Sequence, residues 1–347
     1  MTVHGASLAA AETPAWLAGT SGSEYLFLGA PSRAAYPGAI LRLARWLRER
    51  RADVLQTHLF EAGLVGLAAA RLARVPLAIV TRHHTDEMWI AGTRAHIAGD
   101  RLMAWWADRV VVLSHAVRAH MVAREGAPAD KIDVIYQGFD FAALGATDGD
   151  RRRVRAELGL ENCFVIGCVA RFFKTKGHVH LVAAARRLVD QIPNLRVLLL
   201  GGGDRRDVEE MVRANGLEDR VIFAGYRRDV PACLRAMDVV VHPSLTEAFC
   251  QTVVEALAAE SPLVVTNVAA ASEVVTDGVT ALLVPPGDPD ALAAAVARIH
   301  RDPAVGRRMA EAGRRSVTER FTIDRMVQAQ LDCYLRWLPS VGRKRAA

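Results

Sequence analysis

Val239-Val240-Val241-His242-Pro243-Ser244-Leu245-Thr246-Glu247-Ala248-Phe249-Cys250-Gln251-Thr252-Val253-Val254-Glu255-Ala256-Leu257 reads as a buried β-strand, a short loop opened by Pro243, and a helix starting near Ala248. Among 38 acidic residues a Glu-x7-Glu pair arises easily by chance. Here Glu247 stands at the carboxyl end of a strand, where open α/β sheets bind ligands. Glu255 follows two helical turns later on an otherwise apolar helix and can project into the same crevice. Polyhydroxylated ligands need carboxylate acceptors placed in this way. The plainer alternative is a capping Glu247 and a surface Glu255.

Upstream, a strand at about 164–170 ends in Ala170-Arg171-Phe172-Phe173-Lys174-Thr175-Lys176-Gly177, where a helix opens. Arg171 and Lys176 could face one anion, with the N–H groups and dipole of the helix start adding positive character. A guanidinium and an ammonium suit a diphosphate; two solvated cations are the alternative. Gly201-Gly202-Gly203-Asp204 fails the dinucleotide fingerprint because Arg206 stands where the third glycine belongs. Gly225-Tyr226 is a simple turn or a place where backbone approaches a base.

Strands and helices alternate on both sides of this region, which predicts parallel sheets covered on both faces. The first half holds short strands at Glu24–Gly29, Asp53–Thr57, Pro76–Val80, Arg109–Leu113 and Lys131–Tyr136. Ser114 is expected to cap a helix. Residues 1–23 show no sustained period and are expected to pack poorly. Residues 141–162 are polar and read as a hinge. The last helix, Ile323–Leu338, is expected to end at Pro339.

The composition, 51% hydrophobic and 24% charged, is that of a globular chain. No stretch approaches the roughly 18 apolar residues of a membrane span, and residues 1–20 lack a secretory pattern. Five cysteines without metal-ligand spacing point to a reducing cytoplasm. A net charge of +6 and a pI of about 9.3 suit an anionic ligand or an acidic membrane surface. No basic stripe with stacking aromatics is present, so nucleic acid is not an expected partner. The basic helix Tyr36–Arg50 could touch anionic lipid at the inner face of a membrane; a solvated face is the alternative.

Taken together, Arg171, Lys176, Glu247 and Glu255 describe one crevice. With Ala170-Arg171…Lys176-Gly177, Leu200-Gly201-Gly202-Gly203, Val221-Ile222-Phe223-Ala224-Gly225, His242-Pro243-Ser244, Glu247…Glu255-Ala256-Leu257-Ala258, Pro262 and Thr280-Ala281-Leu282-Leu283-Val284, the second half resembles the donor domain of the family 4 retaining glycosyltransferases. The resemblance spans about 53–320 and is strong after 164. It implies the α/β GT-B fold: two Rossmann-like parallel-sheet domains facing a cleft, the first incomplete. Residues 1–145 would form the acceptor-side domain and 146–320 the nucleotide-sugar donor domain. Residues 321–347 would form a helix crossing back to the first domain, plus a basic tail.

By that resemblance Arg171 and Lys176 bind the leaving diphosphate, Glu255 the ribose hydroxyls and Glu247 the donor sugar. Phe249 and Cys250 also face the donor. Thr81-Arg82-His83 is similar to the family's Thr-x-His, making His83 the acceptor-side catalytic residue, with His84 as the alternative. Ser114 and Gln137-Gly138 fit positions near the cleft. The implied activity is transfer of a hexose-type sugar from a nucleotide-sugar, with retention, to a glycan, lipid-linked or small-molecule acceptor. No cofactor or metal is expected, because two cations neutralise the leaving group. A non-catalytic or impaired nucleotide-sugar-binding protein of the same fold is the alternative, and a nucleotide-sugar epimerase is disfavoured by the four-residue combination.

Some positions depart from the family. Ala269 and Ala270 replace glycines before Glu273, Glu260 replaces a glycine near the end of the Glu255 helix, and Ala248 and Cys250 stand where glycine is common. At the front, Glu24–Gly29 resembles the family's third strand, so the first strand, first helix and second strand are expected to be absent. Glu24–Gly29 is then expected either to pair abnormally beside Asp53–Thr57 or to sit apart.

Overall fold

The computed structural model describes residues 2–8, 21–84 and 94–346, with side chains through 338. The second half is a six-stranded, fully parallel sheet: β7 (Phe164–Val169), β8 (Leu195–Leu200), β9 (Val221–Gly225), β10 (Val239–His242), β11 (Leu263–Thr266) and β12 (Leu282–Val284). Their spatial order is β12-β11-β10-β7-β8-β9. Every residue of β10 and β11 is buried, as continuous apolar runs covered on both faces must be. Alternation sorts the side chains: Val240 and Val165 join one core, Val239, Val241 and Ile166 the other. Strand order reverses between β7 and β10. The carboxyl ends of those two strands therefore flank the switch point where a crevice opens.

In the first half β3 (Val54–His58), β4 (Leu77–Arg82), β5 (Arg109–Val112) and β6 (Ile132–Val134) form a parallel sheet in that order. The two helices α1 (Tyr36–Glu49) and α2 (Phe60–Ala73) pack beside it, with α3 (Arg94–Trp106) and α4 (His115–Glu125) following.

The front of the chain corrects one expectation and bears out another. Gly5–Ser7 is a strand, β1, paired in parallel with β2 (Tyr25–Phe27), so a strand stands where none was expected. Leu8 packs on the first-domain core, although the surrounding composition shows no period. Among the described residues β1 and β2 form their own two-stranded sheet, and β3 pairs only with β4. The 24–29 segment thus sits apart from β3, anchored by Leu28 and Ala30 in the core and by Arg42, which donates to the Leu28 carbonyl. Residues 9–20 lie outside the described residues.

Three further boundaries differ. The polar stretch read as a hinge contains α5 (Asp148–Glu157), started by a reciprocal capping box between Thr147 and Asp150. Its buried residues, Val154 and Arg155, make too short an apolar stripe to show among the arginines. The next helices are α6 (His178–Leu188), α7 (Arg206–Ala214), α8 (Val230–Ala236), α9 (Gln251–Ala258), α10 (Ala271–Val274), α11 (Pro289–Arg301) and α12 (Pro303–Arg320). Helix α9 begins at Gln251, three residues later than expected, because Phe249 and Cys250 turn into the core. The last helix, α13, runs Ile323–Ala346 through Pro339.

Helix α13 does cross to the first domain. Met326, Tyr334 and Trp337 pack on Leu77, Ile79, Val111 and Ile135. Trp337 Nε1 donates to Asp133 at 3.1 Å, and the Arg109 guanidinium lies 3.4 Å from the Trp337 ring centre. Leu335, on the same helix, is 72% exposed and takes no part in this contact. Gly138 marks the crossing: a Cβ there would lie 2.7 Å from the Ile323 Cα. Its smallness therefore serves chain packing and needs no ligand to explain it.

Candidate donor and acceptor site

The loops after β7 and β10 meet at the switch point. Leu245 N–H donates to the Thr175 carbonyl at 2.8 Å. Gly177 takes φ +67°, and a Cβ on it would lie 2.0 Å from the Pro243 carbonyl oxygen. Only glycine accommodates both that backbone and that approach. The close seating of the loops brings Lys176 to Glu247.

Lys176 Nζ donates to Glu247 Oε1 at 2.8 Å. Ser244 Oγ donates to the same oxygen at 2.8 Å, and His242 Nε2 lies 3.0 Å from it. Thr266 Oγ1 bonds the carbonyls of His242 and Ser244 and so braces the strand end. Burial alone would push the Glu247 carboxyl up; the hydrogen bond and charge of His242, with the charge of Lys176, outweigh it and hold the pKa at about 2. Glu247 is an ionised, fixed acceptor across the physiological range.

Arg171 lies on the same loop but points outward, stacked over Phe173 at 4.5 Å, while Phe172 between them is buried. No ion pair ties Arg171 among the described residues. Phe172 stacks on His178, 4.6 Å between ring centres. His178, at the first position of α6, is a buried group the sequence did not single out. Burial lowers its pKa to about 4 despite a backbone hydrogen bond with Ala170.

Glu255 is half-buried in α9, and burial raises its pKa. Its carboxylate makes no hydrogen bond or ion pair among the described residues and remains an open acceptor. Phe249 and Cys250 depart from the expected donor contact: both side chains are buried, at 4% and 0% exposure. Phe249 packs near Tyr136, Phe139 and Phe321. Burial pushes the Cys250 thiol well above its ordinary value. Only the main chain of this turn is left to meet a ligand.

On the opposite sheet His83 follows β4. Its Nε2 lies 3.0 Å from His58 Nδ1 at the end of β3. Burial, then the neighbouring His58 and His84, lowers the His83 pKa to about 4. His58 was missed by sequence reasoning, although a polar side chain at a strand's carboxyl end was the available signal. Leu59 beside it holds φ +72°, a strained conformation for leucine. His84, the alternative, is engaged elsewhere: its Nε2 is 2.7 Å from Asp100 Oδ2, beside the Arg82–Glu125 pair. Thr85 and Asp86 lie outside the described residues.

Several contacts join the domains. Glu273 accepts from His115 N–H at 2.9 Å and Ala116 N–H at 2.8 Å, capping α4 from across the cleft, and from Tyr136 OH at 2.8 Å. Ser114 is the α4 cap as expected, accepting from Val117 N–H, and its hydroxyl donates to the Ala248 carbonyl at 2.7 Å. Gln137 meets Gln251. Neither Ala269 nor Ala270 takes positive φ, whereas Glu260 does, at +52°, held by Arg314 at 2.7 Å. No three His, Cys, Asp or Glu side chains converge as a metal site among the described residues.

Residues 150–316 match the model of glycosyl transferases group 1, and residues 3–143 that of glycosyltransferase family 4. The chain belongs to the family 4 glycosyltransferases of GT-B fold. It is 30% identical over 327 residues to the D-inositol 3-phosphate glycosyltransferase of Salinispora tropica, covering 86% of this chain and 67% of that one. It is 29% identical over 326 residues to the 2-deoxystreptamine glucosyltransferase of Streptomyces kanamyceticus, covering 88% and 83%. Anabaena HepE in complex with UDP-glucose superposes with a TM-score of 0.81 at 25% identity, covering 90% of this chain and 85% of HepE.

Proposed function

We propose that this glycosyltransferase moves a hexose from a nucleotide-sugar, with retention and without a metal, to a hydroxyl acceptor. The observation that carries the reading is the Lys176–Glu247 contact at the switch point of the donor-side sheet. An ammonium has three donors, so Lys176 can keep Glu247 and still reach a phosphate oxygen. Arg171, without an ion pair among the described residues, supplies a second cation for the diphosphate as it leaves. Glu247 offers its carboxylate to sugar hydroxyls, and Glu255 offers its own to the ribose. The HepE complex, in which the ligand is UDP-glucose, supports a uridine nucleotide as the first donor to try.

Retention rests on the resemblance to the retaining family 4 enzymes, and the electrostatics are compatible with it. A carboxylate with a pKa of about 2 and an imidazole with one of about 4 are weak bases at neutral pH. Neither is suited to deprotonating an acceptor hydroxyl ahead of attack, as direct inversion requires. Departure of the diphosphate then leads, and its oxygens receive the acceptor proton on the same face. His83 and His58, at the carboxyl edge of the opposite sheet, line the acceptor side. The acceptor class is a glycan, a lipid-linked saccharide or a small polyol, and contact with the inner membrane face fits the second of these.

Transfer and slow hydrolysis assays across UDP-, GDP- and ADP-sugars test the reading, with anomeric configuration read by NMR. An inverted product, or nucleotide binding without any turnover, contradicts it.

A further inference from the structure

Helix α3 buries Asp100, Met103 and Ala104 and exposes Arg94, Ala98, Arg101, Leu102, Trp105 and Trp106. The spacing of 94, 98, 101, 102 and 105 places them on one stripe. Leu102 is 62% exposed, Trp105 63% and Trp106 42%. Single exposed apolar residues are ordinary, but a tryptophan pair one turn from an exposed leucine forms a contiguous patch. The only acid of the helix, Asp100, is buried against His84 and Arg82.

At the end of the stripe Arg71 is paired with Asp108 at 3.1 Å, and Lys131 lies beside exposed Asp130. Lys131 Nζ donates to the Trp105 carbonyl at 2.7 Å and the Ala107 carbonyl at 2.9 Å. Arg71 donates to the Trp106 carbonyl, and the adjacent Leu72 on α2 is 53% exposed. The expected lipid-facing helix, α1, exposes a single large apolar side chain, Leu41, and its Trp46 is covered by Arg50.

We propose that the outer stripe of α3 docks on an anionic lipid bilayer. Tryptophan rings prefer the headgroup level, leucine reaches the acyl boundary, and arginine heads meet lipid phosphates. The absence of exposed acid on the stripe matches a uniformly negative surface. The helix runs from the side of β4's carboxyl end, near His83, down to the start of β5. A bilayer along it would lie beside the cleft mouth; that a lipid-borne acceptor enters there rests on the function proposed above.

The test is co-sedimentation of the full chain with phosphatidylcholine vesicles, with and without phosphatidylglycerol, at low and high salt. The wild type pellets with phosphatidylglycerol vesicles, and salt releases it. Trp105→Ser with Leu102→Ser weakens binding at least about tenfold, and Arg94→Glu by about fivefold or more. These side chains are exposed, so melting temperature and turnover with a water-soluble acceptor should stay at wild-type values. A wild type that remains in the supernatant overturns the proposal, as do variants that bind equally well. So does a Trp105-dependent dimer with no vesicle affinity. Vesicle binding without sugar transfer instead defeats the enzymatic reading alone.

Discussion

Lys176 Nζ and Glu247 Oε1 lie 2.8 Å apart although 71 positions separate the residues in sequence. The contact arises because β7 and β10 are neighbours at the point of strand reversal, and because Gly177 lets Pro243 approach. It joins a cation suited to phosphate with a carboxylate suited to hydroxyls.

Lys176→Met should remove the cation and leave Glu247 facing His242 and Ser244 alone. Turnover should fall by about 10²–10³-fold, the usual effect of losing one preorganised charge at a leaving group. Steady-state kinetics with the best donor check this; near-normal kcat contradicts it.

Gly177→Ala should destabilise the fold by more than about 1–2 kcal/mol, since positive φ and the clash with Pro243 act together. Gly159 has a similar φ, +66°, but no neighbour within 4 Å. Gly159→Ala therefore measures the backbone cost alone. Urea denaturation of both variants gives the clash by difference, and equal losses would show that the loops are not tightly seated.

Stability should fall on mild acidification. His83 and His178 titrate near 4 in the folded chain, below the ordinary 6.5. Between those values the unfolded chain binds more protons, so stability is full above about pH 6.5 and is lost as pH falls toward 4. Glu247, lowered from 4.5 to about 2, adds a further loss between those values. For buried His178 the effect reaches at most about 3 kcal/mol. Denaturation midpoints from pH 7 to 4 should decline, and His178→Phe should flatten the decline. An unchanged slope contradicts the role given to burial.

Glu273→Ala should loosen the two domains by removing a cap on α4 and the Tyr136 contact. A loss of about 0.5–2 kcal/mol is expected for the cap, with an increase in radius of gyration by solution scattering. An unchanged radius shows that Ser114 and the aromatic cluster around Phe249 hold the closure by themselves.

The loops that carry Lys176 and Glu247 were legible in the sequence because strand ends and helix starts announce themselves locally. Arg171, Lys176 and Glu247 could be placed from apolar runs and turn residues alone. The burial of the Phe249 side chain was not legible, because it depends on Tyr136, Phe139 and Phe321, distant in sequence. His58 was hidden because only the pairing of β3 with β4 sets it against His83. Strand β1 was hidden because three residues carry no period. The Gly138 crossing likewise follows from α13 docking rather than from any local pattern.

The most direct measurement is calorimetric titration of UDP, GDP and ADP into the wild type and an Arg171→Ala, Lys176→Ala double variant. The wild type should prefer one nucleoside diphosphate over its nucleoside, and the double variant should bind it at least about 100-fold more weakly, as two charge-assisted contacts to phosphate imply. Equal affinity of the two proteins would place the diphosphate elsewhere.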